Sequence, residues 1–412
     1  MELVVCNSKS DERAGAAACK FTDDIIEEIL LRLDAQSVMR CKCVCKSWLS
    51  LITHPSFKHR HLKHQVPGIV LHNVCVYTPF WIHRIGSESF WCHECPEDID
   101  DKSRVKDSWY VVVMGSQNGV ICLSYVRNRR FYLWNPSVRK IRKLPPSPPP
   151  TTRCLVMHGG FGYDALTDDF KVVYLEGYAQ GIYVNYFRVG NLVGVYSLRS
   201  DSWKTLEMPD LFSDHHPPED SSSSTLVMVT DPSCSLYCCS LVVNGSIHWL
   251  IHYGRRKLVA SIPYKEKYLD YVGIVAFDMS TEVFKRIDAP SPSLRDGFKA
   301  IDVHSIFDWS GCLSLVIFER PSSIRIWVMK QYGVSDSWTK HFSADVSNSP
   351  VPPSIQSHQN IGLAAFYSNG DMLLDYTDSY CLYNSKSNKV EYLSPASDVA
   401  QFTGYVESIF LS

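Results

Sequence analysis

WNPSVRKI, residues 134–141, sets an aromatic residue and a second large apolar residue seven positions apart across a polar turn. The spacing recurs as Tyr196 to Trp203 in YSLRSDSW, Phe277 to Phe284 in FDMSTEVF and Tyr383 to Val390 in YNSKSNKV. A fifth copy, Trp327 to Trp338, carries extra residues in the turn. Three copies share a tail, IRKLP, WKTLEMP and FKRIDAP, with an apolar residue three after the second anchor and then a proline. Short runs rich in Val, Ile, Tyr, Phe and Trp on either side of such turns are the pattern of β-hairpins. Upstream of several copies stand QNGVICLS, VNGSIHWLI, WSGCLSLVIF and SNGDMLLDY, where Asn-Gly or Ser-Gly supplies the positive φ of a tight turn. Two hairpins per unit make a four-stranded sheet, and units repeating every ~40–50 residues predict the blades of a propeller. A sixth blade, giving about six, is expected from Ile69 to Trp91 together with YVESIFLS at 405–412. Insertions at 176–190, 210–235 and 343–357 interrupt the spacing.

Ahead of this β region the period changes. Ile25, Ile26, Ile29, Leu30 and Leu33 follow the spacing of one helix face, with Thr22 placed to cap and Asp23 and Asp24 in the first turn. A second apolar series, Val38, Met39, Val44, Trp48, Leu51 and Ile52, ends at Pro55. The sequence predicts a unit of about three helices, too small to be very stable alone. Within it, CKCVCKSW (41–48) puts three cysteines at alternate positions. On a helix Cys41 and Cys45 would share a face and Cys43 would oppose them, so the three cannot close one tetrahedral metal site. The expected organisation is a disordered stretch at 1–19, a helical domain at 20–62, a linker at 63–68 and an all-β, propeller-like domain at 69–412.

The helical stretch FTDDIIEEILLRLDAQSVMRCKCVCKSWLSLITHPSF resembles an F-box. The matching positions are Asp24, Ile25, Ile26, Glu28, Ile29, Leu30, Arg32, Leu33, Ser37, Val38, Arg40, Val44, Cys45, Lys46 and Trp48. Phe21-Thr22 stands where Leu-Pro is usual, and Asp34 replaces a second Pro. GSQNGVICLS, LWNPSVRKIRKLP, FGYDALTDDFKVV and NGSIHWL are similar to the F-box-associated, kelch-like domain of plant F-box proteins. The resemblance implies a substrate-recognition subunit of a Skp–cullin–F-box ubiquitin ligase, itself non-catalytic. Its F-box would bind a Skp-family adaptor and, through it, a cullin scaffold, and its β domain the protein to be ubiquitinated. The alternative is a protein-interaction module with no ligase role. Adaptor contacts are expected from Phe21, Ile25, Ile26, Ile29, Leu30, Leu33, Val38, Val44 and Trp48. Burying about five Ile- or Leu-sized side chains gives roughly 8–15 kcal/mol gross, against an association cost of similar size.

Composition narrows the other classes. The 412 residues carry 41 Lys plus Arg against 43 Asp plus Glu, so no global field draws nucleic acid or an anionic membrane. No window approaches the ~18 uninterrupted apolar residues of a membrane span, and no export signal opens the sequence. Cytoplasm or nucleus is expected, with the 15 cysteines reduced. Cys92, His93 and Cys95 in WCHECPED lack the second pair a zinc site needs, since Cys75 and Cys122 stand alone. MHGGFGYD has the glycines of an oxyanion loop but no Gly-x-Ser-x-Gly elbow accompanies it; its glycines are expected to bring a strand close to its neighbours. RNRRFYLWNPSVRKIRK is basic and aromatic, yet Trp134 and Ile141 are hairpin anchors, which disfavours nucleic acid. LPPSPPPTT reads as a stiff connection between blades and 210–224 as a mobile surface loop. No cofactor or metal is expected. Substrate contacts are expected on two loops, at Tyr178, Tyr183, Tyr186, Phe187 and Arg188 and at Tyr264, Tyr268 and Tyr271, because Tyr and Arg on loops commonly anchor partners.

Overall fold

The computed structural model describes residues 21–72, 80–84, 90–93, 111–125, 130–149, 156–179, 187–211, 224–228, 240–255, 271–290, 303–319, 323–345, 361–366, 371–376, 379–384, 389–393 and 401–411. The stretch expected to be disordered, 1–19, lies outside these residues, as does most of the expected surface loop at 210–224. Four helices, rather than three, form the N-terminal unit: α1 (Asp23–Leu31), α2 (Ala35–Cys41), α3 (Lys46–Thr53) and α4 (Pro55–Lys63). Pro55 accounts for the difference. It stops α3 and then opens α4 in the first turn, where its missing N–H leaves no bond unmade. Thr22 stands at the N-cap of α1 without a side-chain capping bond, whereas Asp34 caps α2 by accepting from the Ser37 amide at 2.9 Å. CKCVCKSW is not one helix: α2 stops at Cys41, and Cys45 is the N-cap of α3. The helical face expected to unite Cys41 with Cys45 is therefore absent; Cys41 is half-buried and Cys43 and Cys45 are exposed.

The β domain opens with β1 (Pro67–His72), β2 (Phe80–Arg84) and β3 (Phe90–His93). Next come β4 (Val111–Gln117), β5 (Val120–Tyr125), β6 (Arg130–Asn135) and β7 (Lys140–Lys143), then β8 (Val156–Asp164), β9 (Asp169–Ala179), β10 (Phe187–Ser197) and β11 (Ser202–Glu207). A short β12 (Ser224–Met228) precedes β13 (Leu241–Val243), β14 (Ser246–Arg255), β15 (Tyr271–Asp278) and β16 (Phe284–Asp288). The last units are β17 (Val303–Trp309), β18 (Cys312–Glu319), β19 (Ser323–Met329) and β20 (Trp338–Asp345), followed by β21 (Ile361–Phe366), β22 (Asp371–Tyr376), β23 (Ser379–Asn384) and β24 (Lys389–Leu393). Finally β25 (Gln401–Val406) pairs with β1, so strands far apart in sequence share the first blade.

Hydrogen bonding yields five sheets where six separate ones would follow from the repeats. The reason is β12, which pairs with both β10 and β14 and merges two four-stranded units into one nine-stranded sheet. The first strands of successive units neighbour one another, β25 beside β4, β4 beside β8, β8 beside β13, β13 beside β17 and β17 beside β21, as the inner strands of a propeller do.

The anchors of the repeat are direct cross-strand partners: Trp134 faces Ile141, Tyr196 faces Trp203, Phe277 faces Phe284 and Tyr383 faces Val390. The fifth copy departs, because a 3-10 turn at Ser335–Ser337 shifts the register and Trp338 faces Met329 while Trp327 faces Lys340. The shared tail has a packing role. Leu144, Leu206 and Ile287 each enter the apolar layer between their own unit and the next. Two tryptophan anchors bond back to the preceding tail, Trp203 Nε1 donating to the Pro145 carbonyl and Trp338 Nε1 to that of Asp288, both at 2.9 Å. Strands are buried on both faces: Val120 and Cys122 join the layer toward β8–β11, Ile121 and Leu123 the layer toward β1–β3. The glycines of MHGGFGYD serve close packing, since a Cβ on Gly159 would overlap Met114 and one on Gly162 would overlap Met279.

Candidate functional site

On α1 the periodicity divides the residues between two surroundings. Leu30 and Leu31 turn inward, to a core shared with Ala35, Val38, Ile52 and Phe57. Phe21, Ile25 and Ile29, spaced by four, stay 62%, 46% and 49% exposed, and Val44 and Leu49 are 45% and 44% exposed. Four of the nine residues expected to meet an adaptor, Phe21, Ile25, Ile29 and Val44, thus present a large apolar surface. Ile26, Leu33 and Trp48 are half-buried against the helical core. Leu30 and Val38, at 1% and 0% exposure, are core residues and leave the expected surface. Leu49 was not marked by any pattern position. Arg60 ties the outer side of α1 to α4 through Glu27 at 2.5 Å and Glu28 at 3.0 Å, holding the ridge in place.

The helices sit against one end of the β domain. Val138, in the β6–β7 turn, packs on the helical core, and the Tyr163 hydroxyl lies 2.9 Å from His59 Nε2 of α4 while donating to Asp168. Burial, reinforced by Asp168, raises the Tyr163 phenol and keeps it protonated. His61 is buried with Nε2 2.8 Å from the Leu33 carbonyl, and desolvation outweighs that bond to lower its pKa. This end carries the tight turns: Asn118-Gly119, Asn244-Gly245 and Ser310-Gly311 have the positive φ values their sequences call for, while the turn of SNGDMLLDY lies outside the described residues.

The opposite end carries the long connections. β9 starts beside the β8–β9 turn that meets α4 and runs eleven residues, about 35 Å at the usual rise, to Ala179. There Tyr178 pairs with Arg188 and Ala179 with Phe187; Arg188 pairs onward with Val227, Val227 with His252, and His252 with Val272. Tyr253, one residue along, lies between Leu226 and Tyr271. β12 therefore joins the strands that flank the two candidate substrate loops into one five-stranded platform, β9-β10-β12-β14-β15. Tyr178, Phe187, Arg188 and Tyr271 lie on it; Tyr183, Tyr186, Tyr264 and Tyr268 fall outside the described residues. β12 itself was missed within an insertion, although STLVM has the β-branched character of a strand.

A four-helix unit bearing an exposed apolar ridge, joined to a ring of four-stranded units, is matched by two family descriptions: an F-box domain over residues 19–60 and an F-box associated beta propeller domain over 94–397. The chain belongs to the F-box associated β-propeller family. An F-box/kelch-repeat protein of Arabidopsis thaliana is 27% identical over 380 residues, covering 90% of this chain and 89% of that one. The F-box protein CPR1 of the same plant is 28% identical over 334 residues, covering 78% and 72%. An F-box joined to this propeller is, in general, the domain pair of a ubiquitin-ligase substrate receptor, and both families are typically non-catalytic.

Within this F-box propeller the remaining motifs find structural places. Residues 144–149 of the proline run connect β7 toward β8, with the Pro148 carbonyl 3.4 Å from the Tyr174 hydroxyl that donates to it. Cys92 is exposed on β3, the ring of His93 lies edge-on to Trp134, and Cys95 falls outside the described residues. No group of three or more His, Cys, Asp or Glu among the described residues is arranged to hold a metal, and no described helix is long and apolar enough to cross a membrane.

Proposed function

We propose that this chain is the substrate-recognition subunit of a Skp–cullin–F-box ubiquitin ligase. The Phe21, Ile25 and Ile29 ridge, with Val44, docks a Skp-family adaptor and through it a cullin. The platform at the far end of the propeller receives the protein to be ubiquitinated. The observation that carries this reading is the ridge: Ile25 and Ile29, about half exposed on a helix whose other face is locked into a core, continued by exposed Phe21 just ahead of the helix N-cap. Covering them contributes about 2–5 kcal/mol, less than the roughly 8–15 kcal/mol expected for about five fully buried side chains, so adaptor binding relies on the helix being preformed. Ile25→Asp with Ile29→Asp abolishes retention of purified adaptor in a pull-down while the thermal transition of the β domain stays in place. A wild-type chain that retains no adaptor would instead leave a protein-interaction module with no ligase role.

A further inference from the structure

The helical core is not completed by helices. Ile409, fully buried, lies in it beside Leu30, Leu31, Ala35, Val38, Ile52 and Phe57. This residue reaches the F-box because the chain leaves the propeller after β25 and runs through Glu407–Leu411 along the turn end of the β4–β7 unit. The grip on that segment is specific. The Asn135 side-chain amide, fully buried, sets its two N–H donors among three acceptors, the Ser408 carbonyl at 3.1 Å, the Ser408 hydroxyl at 3.0 Å and the Phe410 carbonyl at 2.8 Å, so that one N–H is shared. Its carbonyl oxygen meanwhile accepts from the Ser137 amide at 3.0 Å. On either side, Ser137 Oγ lies 2.5 Å from the Tyr405 hydroxyl, and Arg84 pairs with Glu407 at 2.5 Å. Phe410 contacts the rings of Phe170, Tyr163 and His59, the last belonging to α4.

We infer that Glu407–Leu411 is a clasp that sets the orientation of the F-box on the propeller, with Asn135 and Ile409 as its positioning residues. The role of Asn135 stands apart from ordinary turn chemistry. In FDMSTEVF the equivalent position is Asp278, which accepts from the Ser280 and Thr281 amides and so makes the same kind of turn with acceptor oxygens alone. Asparagine is required at 135 for its two N–H donors, which hold the segment, since the turn itself needs only the acceptor. Ile409 adds the apolar half of the clasp, filling a site that the helices leave open. Domains joined by one short connection move relative to each other unless an interface holds them. Here the connection is Lys63 to Pro67; Val138 and the Tyr163–His59 contact touch the helices from turns of the propeller, and the clasp adds an attachment from a segment distant in sequence that enters the helical core itself. The functional meaning rests on the receptor reading above: a clasped F-box keeps the adaptor ridge at a constant distance and angle from the platform.

Asn135→Asp tests the clasp, because aspartate keeps the turn acceptor and removes the donors; Ile409→Ala tests it independently. Spin labels carried by unnatural amino acids, at Gln36 on α2 and Leu166 in the β8–β9 turn, avoid the native cysteines, and electron–electron resonance of the full chain reads the separation. The wild type gives one narrow distance distribution. Each variant widens it at least about twofold while the thermal transition of the propeller and retention of adaptor persist. Distributions as narrow as the wild type's in both variants would overturn the inference, and unfolding of the whole chain by both would make these residues purely structural and overturn it equally. Adaptor retention by the wild type is scored separately, so failure of the receptor reading is distinguishable from failure of the clasp.

Discussion

The two ends of the propeller are built from different connections. At the F-box end the described hairpins turn in two to five residues, apart from the eight of β19–β20; Asn118, Asn244, Ser310 and their following glycines stand at positive φ, and side chains such as Lys171 and Ser280 knit turns to one another. At the other end the hairpins β9–β10 and β14–β15 overrun their units and are joined, among the described residues, through β12. One ring thus separates two kinds of construction: the end that carries the helical domain is short and cross-linked, and the long connections gather at the other end.

The largest effect is expected where the tight turns touch the clasp. Gly119 has φ +73°, and a Cβ there would overlap the Ser408 hydroxyl and the Val406 carbonyl. Gly119→Ala should lower stability by about 3 kcal/mol in urea titrations, combining left-handed strain with overpacking. Next is the link between units at this same end. Lys171 Nζ donates to the Met279 carbonyl at 2.5 Å and to Glu282 at 2.9 Å, and Lys204 also pairs with Glu282. Burial pushes Glu282 upward, but the bonds from Lys204 and Lys171 outweigh it and its pKa is lowered. Lys171→Met should remove about 2–3 kcal/mol, since Glu282 keeps one cation; an unchanged urea midpoint would show that this end is not held by its cross-links.

Acid provides a third probe. His248, with Nε2 2.8 Å from the Tyr332 hydroxyl, is buried, and desolvation lowers its pKa to about 4. A folded pKa below the unfolded value of about 6.5 means that the unfolded chain binds the extra proton first. The stability from neutral His248 is complete above about pH 6.5 and declines as pH falls toward 4, with a loss of about 2 kcal/mol at pH 5. In His248→Phe that part of the pH slope should disappear. A smaller effect separates two glycines of the same turn type: Gly245 has φ +72° but open space around it, so Gly245→Ala should cost about 1 kcal/mol, from backbone strain alone.

The same division governs what the sequence made legible. Hairpin anchors are local, and Trp134–Ile141, Tyr196–Trp203, Phe277–Phe284 and Tyr383–Val390 could be read because a tight turn enforces register. Trp327–Trp338 misled because extra turn residues let the register slide. The apolar spacing of α1 was legible too, but periodicity alone did not say that Leu30 and Val38 belong to the inside and Ile25 and Ile29 to the outside. What escaped were the long-range contacts: β12 finding β10 and β14, and Ile409 entering a core built from residues 30–57. Neither has a local signature, since each depends on where the completed ring delivers the chain.

The smallest effect on stability, and the sharpest test of the contrast, is expected at the far end. Tyr178 and Arg188 are direct partners on the platform, ten residues along β9 from the turn that meets α4. Tyr178→Ser with Arg188→Glu should change stability by no more than about 0.5 kcal/mol, because no tight turn or cross-link of the F-box end is touched. Under the receptor reading the same pair should reduce capture of the ubiquitinated protein at least tenfold, about 1.4 kcal/mol, in proximity labelling with the proteasome inhibited. Gly119→Ala should behave conversely at permissive temperature, with capture preserved and stability lost. If instead Tyr178→Ser with Arg188→Glu destabilised the propeller as much as Gly119→Ala, the platform would be part of the scaffold and the target would have to be held elsewhere.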